Sequence, residues 1–122
     1  AGDALFVRTG RWTRRAKLGA WDVRQSAAGL DASCIPWLKQ RDIVLLAGET
    51  PQDAVPPGGD LSGLPLHGFV LVYLGVQLID NADLDALART AAERNRWEFL
   101  FEVAPLALRA GTGSPVNPLA TF

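Results

Sequence analysis

The sequence predicts an α/β fold, and three observations carry that prediction. Short apolar runs of strand length recur along the chain at Leu5-Phe6-Val7, Ile43 to Leu46, Val76 to Ile79 and Glu98 to Val103. Stretches with apolar residues at helical spacing lie between them, over Ala27 to Arg41 and Leu84 to Arg94. Strands alternating with helices are the signature of an α/β layer architecture. No internal repeat or low-complexity tract interrupts this order, which excludes a solenoid.

The first strand spans Ala4 to Arg8 and stops at Thr9-Gly10. Arg11 to Trp21 is basic and aromatic without clean periodicity, so a long ordered loop is expected. Ala27 to Arg41 reads as a helix, with Leu30, Cys34, Trp37, Leu38 and Arg41 near helical spacing. Asp31 and Ser33 are its candidate N-caps. Pro36 favours Ser33, because proline is tolerated only in a first turn. Gly48 to Pro65 is rich in Gly, Pro and Asp and is expected to be a long excursion.

His67 to Leu74 fits both periods: Val70, Val72 and Tyr73 suit a strand, while Leu66, Phe69, Val70, Tyr73 and Leu74 share a helical face. Val76 to Ile79 follows as a strand entered through Gly75. A helix over Leu84 to Arg94 is capped by Asn81 or Asp83, with Leu84, Leu87, Ala88 and Ala91 inward. Glu98 to Val103 is the last strong strand, and the tail from Leu106 is expected to be extended.

At 122 residues the chain is expected to form one domain, residues 1–122, large enough to bury most of its unfolded surface. Apolar residues make up 48% and charged ones 20%, an ordinary globular balance. Twelve basic residues against thirteen acidic ones supply no global field for nucleic acid or an anionic membrane. The single cysteine, Cys34, excludes an internal disulfide and is expected to be a buried, inert thiol. A reducing, cytoplasmic setting is expected. The longest apolar candidate, Phe69 to Leu74, is far too short to span a bilayer, and no signal peptide is evident. The chain starts at alanine and contains no methionine. Removal of an initiator methionine and cleavage from a longer precursor would each account for the alanine start.

His67 is the only histidine. Its bland role is to cap or pack at a helix start; its functional role is ligation or catalysis. Asp80 stands at the C-terminal end of an apolar strand, where a carboxylate serves as turn former, helix cap or metal ligand. The cluster Arg8, Arg11, Arg14, Arg15 and Lys17, interleaved with Trp12 and Trp21, has the composition of a phosphate-binding and stacking surface. With balanced charge, pairing of those arginines with carboxylates is the better expectation. Gly111-Thr112-Gly113-Ser114 lacks the lysine and following helix of a phosphate loop. Ser114 is read as a hydrogen-bonding loop residue, since no His/Asp pair is left to activate it.

Several of these stretches occur together in one family. Arg8-Thr9-Gly10-Arg11-Trp12, Leu66-His67-Gly68-Phe69, Val76 to Asn81, and the run from Trp97 through Gly111-Thr112-Gly113-Ser114-Pro115-Val116-Asn117-Pro118 resemble the cyclase family of metal-dependent hydrolases, which includes kynurenine formamidases and isatin hydrolases. The resemblance extends from Leu5 to Phe122. It implies a cyclase-like swivelling β/β/α architecture, with this chain as its C-terminal half only.

The family's main metal motif, H-x-G-T-H-x-D, does not occur in the sequence. The resemblance implies that His67 and Asp80 are two ligands of a divalent Zn or Mn ion. It also implies that metal-activated water attacks a C–N amide-type bond in a small-molecule substrate. Many relatives carry glutamate at the place of Asp80. Asp31 stands where some relatives have histidine, and Ala47-Gly48-Glu49 replaces a more usual Gly-Ser-Asp. Trp12 and Ser114 are expected in the substrate pocket or its structural loop.

A catalytic zinc site needs three protein groups and an open position, so two ligands are incomplete. The expected partner is an N-terminal half, or a second chain, carrying the missing motif. A homo-oligomer is also expected, with no nucleic-acid and no membrane partner. Beside the hydrolase stand a non-catalytic fragment or assembly module of the same fold and, trailing both, a nucleic-acid or anion-binding domain built on the basic stretch.

Overall fold

In the computed structural model, which describes residues 1–58 and 62–122, the chain divides into two compact units, Ala1–Asp85 and Ala86–Phe122. Gly59, Asp60 and Leu61, part of the Gly/Pro-rich excursion, lie outside the described residues. The first unit is built on three parallel strands, β1 (Ala4–Val7), β2 (Leu45–Gly48) and β3 (Gln77–Ile79), in that spatial order. Ala4 pairs with Leu45 and Val7 with Gly48; Leu45 pairs with Gln77 and Ala47 with Ile79.

Central β2 is buried along its whole length, as expected for the middle strand of a parallel sheet. Its Leu46 sits in a core with Leu38, Ile43, Leu66, Val70 and Val76, against which Leu5, Val7, Leu30 and Leu78 pack. Leu38 comes from α2 (Ile35–Arg41), and Leu66 and Val70 from α3 (Pro65–Val72). The expected mixed α/β architecture with a parallel sheet is therefore present.

The stretch after Gly10 corrects the expected loop: it forms helix α1 (Arg11–Leu18). No residue of α1 is buried, so it has no apolar stripe by which the sequence would disclose it. Its order comes from Glu49, a fully buried carboxylate at the end of β2. Glu49 Oε2 accepts the backbone N–H groups of Thr9 (2.8 Å), Gly10 (2.7 Å) and Arg11 (3.1 Å) and the Thr9 hydroxyl (3.1 Å). A negative charge beneath a helix N-terminus satisfies orphan donors and opposes the helix dipole, while Arg15 and Lys17 suit the other end.

The expected helix from Ala27 is also corrected. Ala27 and Leu30 form isolated bridges with Val55 and Asp53, and only a 3-10 turn (Ala32–Cys34) and α2 follow. Gly29 lies against the backbone here; a Cβ added to it would stand 2.3 Å from the Asp53 carbonyl carbon. The cap is Asp31 and not Ser33: Asp31 Oδ1 accepts the Ser33 N–H at 2.9 Å. Pro36 then falls in the first turn of α2. Cys34 ends the 3-10 turn, half-buried beside the core.

His67 to Val72 resolves as helix, in α3, with Tyr73 as its C-cap and Leu74 beyond it. A residue with apolar neighbours on all sides is what made the period ambiguous: Leu66 and Val70 face the core, while Phe69, Leu71, Val72 and Tyr73 are exposed.

In the second unit, the helix α4 (Asp85–Arg94) buries Ala91 and half-buries Leu87 and Ala88. Asp83 Oδ1 accepts the Asp85 N–H at 3.1 Å, which selects Asp83 over Asn81 as the start signal. Strand β4 (Leu100–Glu102) pairs antiparallel with β5 (Leu119–Thr121), a strand within the stretch expected only to be extended. The Phe99 and Phe122 rings meet at 5.2 Å, with the Arg94 guanidinium 5.9 Å from the Phe122 ring. Among the described residues, no helix is long and apolar enough to cross a membrane.

Candidate functional site

Parallel strands place the residues after their C-terminal ends side by side, and in open α/β sheets that is where ligands bind. The segment after β2 is Glu49-Thr50-Pro51-Gln52-Asp53, and the residue after β3 is Asp80. Glu49, Thr50, Gln52 and Asp53 are all buried, an unusual density of polar side chains away from water.

Each of the four has a defined bond. Glu49 holds α1, and the Thr50 hydroxyl donates to the Ala28 carbonyl at 2.8 Å. Asp53 caps α3: Oδ1 accepts the Leu66 N–H at 2.7 Å and Oδ2 the His67 N–H at 2.8 Å. Pro65 opens that helix, where its absent N–H costs nothing. The Gln52 side-chain amide donates to the Ile79 carbonyl at 2.9 Å and to Asp80 Oδ1 at 3.0 Å.

His67 and Asp80 come together at this place. His67 Nδ1 lies 4.0 Å from Asp80 Oδ2, with the two side chains 26% and 34% exposed, so both are open to a ligand from solvent. His67 Nδ1 also lies 3.3 Å from the Pro51 carbonyl oxygen. A carbonyl only accepts, so this contact favours a proton on Nδ1 and leaves the lone pair on Nε2. An imidazole N–H bonded to a backbone carbonyl is the usual support of a metal-binding histidine.

The donor types suit a divalent ion such as Zn²⁺ or Mn²⁺. Their number does not complete a site. Among the described residues, no group of three His, Cys, Asp or Glu side chains is positioned to hold a metal ion. The residues present fit part of a metal centre.

Trp12 stands in α1 and its indole N–H donates to the Ala82 carbonyl at 2.8 Å, just beyond Asp80. Arg11 donates through Nη1 to the Glu49 carbonyl (2.6 Å) and to the side chain of Asn81, the neighbour of Asp80. Arg8 pairs with Asp85 at 2.7 Å, and Arg14 lies 3.9 Å from the Trp21 ring centre. Ser114, in the second unit, accepts the Leu106 N–H on its hydroxyl at 3.0 Å.

Sequence reasoning missed Glu49, Gln52 and Asp53. A signal existed: a cluster of Glu, Thr, Gln and Asp directly follows an apolar strand, at the end of the strand where α/β sheets place their sites.

A three-stranded parallel sheet with polar groups gathered at its C-terminal edge defines an α/β protein. No known family profile matches the sequence, and no curated protein does. Among solved structures, the chain is similar to one described as the crystal structure of a novel cyclase, with a TM-score of 0.79 and 29% identity. The match covers 99% of this chain and 40% of that one, so the chain spans about two fifths of the cyclase's length. Its fold is cyclase-like.

Proposed function

We propose that this chain is the C-terminal portion of a cyclase-family, metal-dependent hydrolase of the kynurenine formamidase and isatin hydrolase type. In this reading it supplies His67 and Asp80 as two donors of a divalent-metal centre. The observation that carries the reading is the side-by-side placement of His67 and Asp80 at the C-terminal edge of the sheet, with the imidazole edge that carries Nδ1 4.0 Å from Asp80 Oδ2 and both residues tied to one buried polar segment. The similarity to a solved cyclase supports it.

A Zn²⁺ or Mn²⁺ ion bound there supplies Lewis acidity and a water of lowered pKa, the chemistry that hydrolysis of a C–N amide-type bond requires. The chain's own residues fix the histidine: Asp53 and Pro51 orient His67. The other ligands come from an N-terminal half or second chain with an H-x-G-T-H-x-D motif, and a small-molecule substrate enters where the two parts meet. The second reading, a non-catalytic fragment or assembly module, is favoured by one observation: no third metal-binding side chain joins the pair among the described residues.

Metal content separates the two. The chain is purified alone and with a co-expressed segment bearing the motif, exposed to Zn²⁺ or Mn²⁺, dialysed and analysed for bound metal. The hydrolase reading expects about one retained ion per complex that His67→Ala removes, with hydrolysis of formylated or cyclic amides. Metal retained unchanged by His67→Ala removes this residue from the site. No metal and no hydrolysis in the complex leaves the assembly module.

A further inference from the structure

We propose that Gln52 is a positioning residue that divides the work of the Asp80 carboxylate, fixing Oδ1 so that Oδ2 is the oxygen presented towards His67. The inference rests on the reading of Asp80 as a metal donor, but its geometric part stands without any metal. Four observations converge on it.

Gln52 is 2% exposed and sits at φ 68°, a backbone conformation that a non-glycine residue adopts only where surrounding contacts enforce it. Its amide orientation is decided by chemistry. Nε2 faces two acceptors, the Ile79 carbonyl and Asp80 Oδ1, and an exchanged oxygen would face both with no proton to give. The cost of that choice is visible in Gln52 Oε1, which is buried with no hydrogen-bond partner among the described residues. An acceptor left unsatisfied away from water is destabilising, so the geometry favours the donor bonds over full satisfaction of the side chain. Finally, β2 ends in Gly48, where an added Cβ would lie 2.6 Å from Gln52 Oε1. The absence of a side chain there makes room for the amide.

The bond to the Ile79 carbonyl adds direction to the bond to Asp80. It ties the amide to the end of β3, so Asp80 is held relative to the sheet and not only to a mobile side chain. Of the two carboxylate oxygens, Oδ1 is the one engaged by Gln52, and Oδ2 is the one 4.0 Å from His67 Nδ1. A carboxylate anchored by one oxygen offers the other in a fixed direction. Residues that orient a ligand in this way typically change metal affinity by about 10- to 100-fold when removed.

The test begins with the side-chain NH2 signals of Gln52 in the ¹⁵N–¹H spectrum of the metal-free chain. The expected result is that Asp80→Ala moves one of the two amide-proton resonances and speeds its exchange, while His67→Ala leaves both in place. If Asp80→Ala leaves the pair unmoved, the Gln52–Asp80 bond is absent and the proposal is overturned. This arm changes only partly exposed residues and does not depend on a Gln52 variant folding.

The second arm measures Zn²⁺ affinity, in complex with the segment bearing the metal motif, for Gln52→Met, Asp80→Ala and the double variant. Gln52→Met is expected to weaken binding about 10-fold or more, and the double variant to bind no more weakly than Asp80→Ala alone. Additive losses would show that Gln52 acts elsewhere and overturn the proposal. Gly48→Ala, which displaces the amide without deleting it, is expected to reproduce the Gln52→Met loss. If the complex binds no Zn²⁺ but the spectral coupling is present, the metal reading fails while the positioning of Asp80 by Gln52 stands.

Discussion

The carboxylate of Asp53 accepts the backbone N–H of His67 at 2.8 Å, so the chain's only histidine begins its helix on an aspartate fourteen residues earlier. The same carboxylate takes the Leu66 N–H on its other oxygen, and Asp53 is 1% exposed. Asp53→Ala is therefore expected to leave one buried and one part-buried donor unpaired and to cost about 2 kcal/mol of stability. Urea unfolding measures the loss. Asp53→Asn, which keeps one good acceptor, is expected to cost less.

Glu49 should behave in the same manner at α1. Its Oε2 collects three backbone N–H groups and a hydroxyl, and beyond these the Trp12 and Arg11 side chains tie α1 to the rest of the chain. Glu49→Ala is expected to fray the first turn of α1 and destabilise the chain by about 2 kcal/mol. Amide hydrogen exchange of residues 11–14 reads out the fraying. Protection there that matches wild type would show that α1 is held by something else.

Gly29 is expected to reject any side chain. Its missing Cβ would lie 2.3 Å from both the carbonyl carbon and oxygen of Asp53. Backbone atoms do not swing aside as a side chain does, so Gly29→Ala must displace the bridged segments. A loss of about 1–3 kcal/mol or more is expected. Because Asp53 holds His67, the same variant should shift the His67 resonances in a ¹³C–¹H spectrum, and an unshifted His67 would separate the two.

Acidification should loosen the turn before α2. The Ser33 side chain, together with the Ser33 backbone N–H, holds the Asp31 carboxyl below the ordinary carboxylate value of 3.8. A lowered pKa in the folded state means that stability is present above the unfolded value and is lost as pH falls through the folded one. The Asp31 carboxyl ¹³C shift should accordingly titrate below that of the urea-unfolded chain, and Ser33→Ala should bring the two midpoints closer.

Elements with an apolar stripe and clear punctuation were readable from the residues: β1, β3 and α4, whereas His67 to Leu74 fits both periods and the resemblance leans towards helix. Those that the residues concealed share one physical cause, which is that a distant partner decides them. Helix α1 depends on a carboxylate thirty-eight residues from Arg11, and β5 buries none of its three residues. Ala27 to Leu30 has helix-like spacing, yet bridges to Val55 and Asp53 take its backbone bonds. At the candidate site, His67 and Asp80 stand out by residue type alone. Gln52 and Asp53 do not, because polar residues in a Gly/Pro-rich stretch look like solvated loop until the tertiary fold buries them.

The segment Glu49 to Asp53 has a dynamic consequence. His67 lies in α3 and Asp80 just after β3, yet each is bonded to this one segment, through the Gln52 and Asp53 side chains and the Pro51 carbonyl. A fluctuation that displaces the stretch therefore carries both side chains in the same direction. Their mutual spacing is buffered against motions that move either one relative to the solvent, as two instruments bolted to a common bench stay aligned when the bench shifts.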